Sequence, residues 1–147
     1  MKRSKRLQVV VELATKEKDA ILEQVGRANQ AWLKEKRQLE SLYQYREEYL
    51  AQFRSGHTQN MTAQRVLALR GFLSQLDQAI QAQSQQVAQQ FKLLEQQRQK
   101  WKQAWTKEKS VQHLVERYQD EEQRLENKKE QRTQDEFSAQ LWRRKQY

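Results

Sequence analysis

Arg54-Ser55-Gly56-His57-Thr58-Gln59-Asn60 is the one stretch of this chain whose chemistry ends a helix, and it decides the fold. Glycine takes the left-handed conformation that closes a helix without steric cost, and the polar residues after it suit a turn. On both sides the sequence favours helix: it has no proline, only Gly26 and Gly71 as further glycines, and is dominated by Gln, Glu, Lys, Arg, Leu and Ala. One break predicts two helices in a single domain, 1–147: a first over about 4–54, a turn over about 55–61, and a second over about 62–140, with Thr62 placed to cap it.

Upstream of the turn, apolar residues recur three or four apart: Leu7, Val10, Ala14, Ile21, Val25, Ala28, Trp32, Leu39, Leu42, Tyr49 and Phe53. Glu17, Glu35 and Arg46 fall where the stripe passes, and the step from Ile21 through Val25 to Ala28 reads as a departure from a strict heptad, locally unwinding the coil. Downstream, the stripe runs Leu69, Leu73, Leu76, Ile80, Val87, Phe91, Leu94, Trp101, Trp105, Val115, Tyr118 and Leu125, crossing the glutamine-rich stretch 75–90 without interruption. Neither helix can leave its stripe in water. A short link favours antiparallel neighbours, so the predicted fold is an all-α, two-helix antiparallel coiled-coil hairpin with an overhanging C-terminal helix. A turn centred near 58 puts Leu7 opposite about residue 110. Past Leu125 the pattern thins, and that tail is expected to fray unless covered.

With 36% hydrophobic residues, 32% charged residues and a mean hydropathy of -1.20, the chain can fill one seam but not an ordinary compact core. A net charge of +9 draws it to acidic surfaces without choosing among them. It has no cysteine, and no signal peptide or membrane span is visible, so a cytoplasmic chain is expected. His57 and His113 are the only histidines, and no phosphate-cradling loop or metal-ligand spacing occurs. A catalytic role, a cofactor and a metal site are therefore not expected.

The basic start (Lys2, Arg3, Lys5, Arg6) and the basic end (Arg143, Arg144, Lys145) invite nucleic acid, but Glu12, Glu17, Asp19 and Glu23 dilute the first at once. Trp32, Trp101 and Trp105 lie on or near the stripes and are expected in the core. Trp142, in the basic tail, is either part of a disordered end or an anchor to a protein or a lipid headgroup layer.

Beside the turn, Gln38, Leu42, Tyr45 and Tyr49 are spaced four, three, four, and Phe72, Leu76, Ala79 and Gln83 repeat that spacing. Antiparallel pairing brings Gln38 near Ala79, Leu42 near Leu76 and Tyr45 near Phe72. The merged patch either widens the seam or leaves aromatic surface for a partner.

These stretches resemble the FliJ family of flagellar export proteins over essentially the whole chain. The resemblance rests on Gln38-Leu39-x-x-Leu42-x-x-Tyr45-Arg46-x-x-Tyr49, on Gly56, on Arg70-Gly71-Phe72-Leu73-x-x-Leu76-x-x-Ala79-Ile80, and on Asp135-Glu136-Phe137. It implies a hairpin similar to the central stalk of rotary ATPases, with both chain ends inserted into the hexameric export ATPase FliI. It also implies association with the export gate FlhA and with export chaperones, and a cytoplasmic place at the inner-membrane face of the flagellar base. Carried over by position, the gate-facing set is Gln38, Leu42, Tyr45, Tyr49, Phe72, Leu76, Ala79 and Gln83. The ring-facing set is sought on the stripes nearest the ends: Leu7, Val10, Ala14, Ile21, Val111, Val115, Tyr118 and Leu125. The alternatives are an injectisome counterpart, a generic coiled-coil spacer, and a nucleic-acid-binding helical arm.

Overall fold

A computed structural model describes residues 2–54 and 62–146; the expected turn at 55–61, with Gly56, lies outside the described residues. Helix α1 spans Arg3–Arg54 and helix α2 spans Ala63–Gln146, 52 and 84 residues long. Gly26 and Gly71 sit inside these helices, since a penalty of about 1 kcal/mol each is too small to break them. Thr62 does cap α2: its Oγ1 accepts from the Arg65 amide at 3.3 Å and its carbonyl accepts from Val66 N at 3.1 Å.

Shielding from water follows one rule along both helices. On α1 the shielded series is Ser4, Leu7, Val11, Ala14, Lys18, Ile21, Val25, Ala28, Trp32, Glu35, Leu39, Leu42, Arg46, Tyr49, Phe53, in alternating steps of three and four. On α2 it is Val66, Leu69, Leu73, Leu76, Ile80, Gln83, Val87, Gln90, Leu94, Gln97, Trp101, Ala104, Glu108, Val111, Val115, Tyr118, Glu122, with the same steps. This is an unbroken heptad seam on each helix, and the fold is an all-α antiparallel hairpin.

The seam corrects several expectations. Ile21, Val25 and Ala28 keep the heptad phase, so nothing unwinds there. Val11 rather than Val10 carries the stripe, and Ala104 rather than Trp105, which is 44% exposed. In each case the larger or first apolar residue of an adjacent pair draws the eye, yet one residue turns a side chain about 100° and off the seam. Phe91 and Leu125 are also exposed rather than core.

The chain divides into two compact units. In the unit Ala20–Lys102 the core is apolar: Leu76, Ile80 and a fully buried Leu94. The Trp32 ring meets Phe91 at 5.6 Å, and Arg46 Nε lies 2.8 Å from Asp77 Oδ1. Gln83 Nε2 donates to the Glu35 carbonyl at 2.9 Å.

The other unit joins Met1–Asp19 to Gln103–Tyr147. Its fully buried apolar residues are few, Ala14, Ala104 and Val115; Leu7, Val11, Val111 and Tyr118 are half-buried, and polar pairs occupy other seam positions. Lys18 Nζ lies 2.9 Å from Glu108 Oε2, and Glu122 accepts from Ser4 N at 3.2 Å and from Ser4 Oγ at 2.7 Å. Ser4 thus meets Glu122, where a turn at 58 would have set about residue 113 opposite it. Part of that offset is geometric, because side chains lean toward their own helix N-terminus and contacting partners in an antiparallel pair lie about two residues farther along. Beyond Glu122 every described residue is exposed, and α2 continues as helix to Gln146. Good helix formers predominate there, Arg143, Arg144 and Lys145 complement the dipole in the last turn, and Thr133 Oγ1 donates to the Lys129 carbonyl at 2.9 Å.

Candidate functional site

Three aromatic side chains from two helices meet in the unit Ala20–Lys102. Phe72 lies 4.5 Å from Tyr49 and 6.0 Å from Tyr45 between ring centroids, and the two tyrosines are 6.4 Å apart. They converge because Tyr45 and Tyr49 are four residues apart on α1, and the antiparallel register delivers Phe72 between them. Tyr49 and Phe72 are half-buried, whereas Tyr45 is 50% exposed. Each such ring pair is worth about 0.5–1.5 kcal/mol beyond its buried area, so the cluster is a preformed surface.

The rest of the gate-facing set splits. Gln38, Leu42 and Gln83 share one shallow groove of about 500 Å³ with Lys34, Arg37 and Ser41. Leu76 is buried in the seam, and Ala79 is exposed. Gln38 and Gln83 border the same groove from opposite helices. Gln83 is also held from below, by its donation to Glu35, so only part of its amide is free for a partner. The stripe marked Arg46 and Glu35 as polar interruptions. Their partners, Asp77 for Arg46 and Gln83 for Glu35, carry no periodicity signal that would have paired them.

The ring-facing set falls in the unit of Met1–Asp19 and Gln103–Tyr147, Ile21 apart. Ala14 and Val115 are buried and Leu7, Val111 and Tyr118 half-buried, with the Arg3 guanidinium 5.8 Å from the Tyr118 ring centre. Val10 and Leu125 are free to meet a partner, Leu125 being 66% exposed; Ile21, in the other unit, is half-buried.

Electrostatics in that unit centre on the seam carboxylates. Glu108 is only 3% exposed, but a two-helix layer surrounds it thinly. The Lys18 ammonium holds its pKa below the usual carboxylate value against the opposing effect of burial, helped by Thr15, and Lys18 is raised in turn by Glu108. Ser4 likewise lowers Glu122, again against burial. His113 lies exposed, 3.6 Å from Glu116, and no group of described residues is arranged to hold a metal. No helix of the described residues is long and apolar enough to cross a membrane.

A family model described as the flagellar FliJ protein matches residues 3–147. The chain belongs to the FliJ family. Membership makes it a protein associated with flagellar export, and the two-helix fold with its heptad seam fits that family. No curated protein and no solved structure matches the chain.

Proposed function

We propose that the chain is a non-enzymatic stalk of the flagellar type III export apparatus, binding the hexameric ATPase FliI, promoting its hydrolysis of ATP and coupling it to the export gate FlhA. Export chaperones would be further partners. The observation that carries this reading is the Tyr45, Tyr49 and Phe72 cluster, in a chain whose FliJ-family match spans residues 3–147. Aromatics held rigid by one another and left partly open are the side chains from which interfaces draw most of their energy.

Work is divided between the two compact units in this reading. The unit Ala20–Lys102 meets the gate through Tyr45, Tyr49 and Phe72, with Gln38, Leu42 and Gln83 lining the neighbouring groove and Leu76 and Ala79 beside them. The unit of Met1–Asp19 and Gln103–Tyr147 meets the ring through the residues flanking its seam, Val10 and Leu125 among them.

Tyr45→Ala with Phe72→Ala is the test. Losing interfacial aromatics costs about 1–3 kcal/mol each, so capture of the cytoplasmic part of FlhA should fall at least tenfold. Helicity and stimulation of FliI hydrolysis should stay near wild type. A variant that unfolds, or loses FliI and FlhA alike, makes the cluster ordinary seam. A wild-type chain that stimulates no hydrolysis leaves a spacer.

A further inference from the structure

The part of α2 that no α1 residue covers ends in a segment unlike the rest of the chain. Phe137 and Trp142 are both 62% exposed there, and Leu141 is 45% exposed. Acidic residues stop at Glu136, after which Arg143, Arg144 and Lys145 form the last turn. We propose that residues 137–146 bind the headgroup layer of an anionic lipid surface directly.

The argument lies in how the apolar and basic groups are interleaved. Phe137 and Leu141 are four apart and share one face, while Trp142 stands about 100° from Leu141. Lys145 is four residues from Leu141 and three from Trp142, which places it between them on the helix surface. A groove in a protein would have to strip water from that ammonium to seat the apolar side chains on both sides of it. At a lipid surface no such conflict arises. The lysine stem lies among the apolar groups, its charge reaches the phosphates, and the indole takes the boundary layer that tryptophan prefers. Arg144, about 60° from Leu141 on the Phe137 side, adds a second cation bordering the same face, so negative charge is what the segment attracts. The segment is already helical, so no ordering must accompany contact.

Flotation of the full chain with vesicles tests this, and because neither ATPase nor gate is present its outcome is independent of the stalk reading. The chain should float with vesicles of phosphatidylglycerol and phosphatidylethanolamine and not with phosphatidylcholine. Arg144→Gln with Lys145→Gln should weaken binding by about fivefold for each charge removed, and Trp142→Ala should weaken it too. Lys2→Gln with Lys5→Gln, at the other basic cluster, should change little. All these positions are exposed, and circular dichroism verifies that helicity is kept. Equal binding to phosphatidylcholine, or none to phosphatidylglycerol, overturns the proposal. So does indifference to Trp142→Ala, which would mean adsorption by charge alone, or dependence on Lys2 and Lys5. Capture of polyglutamate in place of vesicles would assign the segment to an acidic protein instead.

Discussion

The two compact units follow the same heptad spacing and fill it with apolar and polar residues in different proportions. In Ala20–Lys102 large apolar residues fill most of the seam, Trp32, Tyr49, Leu76, Ile80 and Leu94 among them, with Phe91 and Phe72 flanking it against Trp32 and Tyr49 and the Glu35–Gln83 pair as a polar step within it. In Met1–Asp19 with Gln103–Tyr147 the seam includes Ser4 on Glu122 and Lys18 on Glu108, with Ala14, Ala104 and Val115 as its buried apolar residues. Apolar contact is strong but indifferent to register, whereas a polar group at a seam position has few partners and names the one it needs. The first unit therefore draws more on adhesion, and the second more on alignment.

Leu94→Ala attacks the apolar unit where the contrast is greatest. Leu94 is fully buried, so the variant should lose about 2–4 kcal/mol, read as a lower urea midpoint. A loss comparable to that of a surface leucine would mean that the apolar seam is not the main source of stability.

Acid should strike the other unit. Glu108 and Glu122 have folded pKa values below the ordinary 4.5, so their contribution is present above that value and lost as pH falls through the lowered ones. Lys18, raised above 10.5, contributes below that value and loses its part as pH rises through its folded pKa. The melting temperature of the wild type should drop from about pH 6 to about pH 3 by more than that of Glu108→Gln with Glu122→Gln. Parallel drops would exonerate these pairs.

The smallest effect belongs to Arg46→Met. Arg46 and Asp77 are both substantially open to water, and such pairs are worth less than about 1 kcal/mol. A larger loss by denaturant titration would show that the apolar unit too depends on a charge for its alignment.

The hairpin was legible because glycine and turn chemistry coincide only once and large apolar residues mark both helices. What escaped were the seam positions held by small or charged residues: Ser4, Lys18, Ala104 and Glu108. A search for apolar residues passes over them, although extending the three-four ladder from Leu94 would have landed on Ala104 and Glu108 and left Trp105 outside. The aromatic cluster was legible from spacing on each helix separately. The Arg46–Asp77 and Glu35–Gln83 contacts were not, because exposed polar residues occupy most of both helices and periodicity does not single out which of them meet.

Glu122 is bonded across to Ser4 of α1, and residues 123–146 continue as exposed helix beyond it. A disordered arm loses conformational freedom when it is seized, and that loss is subtracted from its affinity. An arm already wound into its bound form avoids the subtraction, so a modest contact area can hold it firmly. Contact along it should then show little of the heat-capacity signature that accompanies coupled folding.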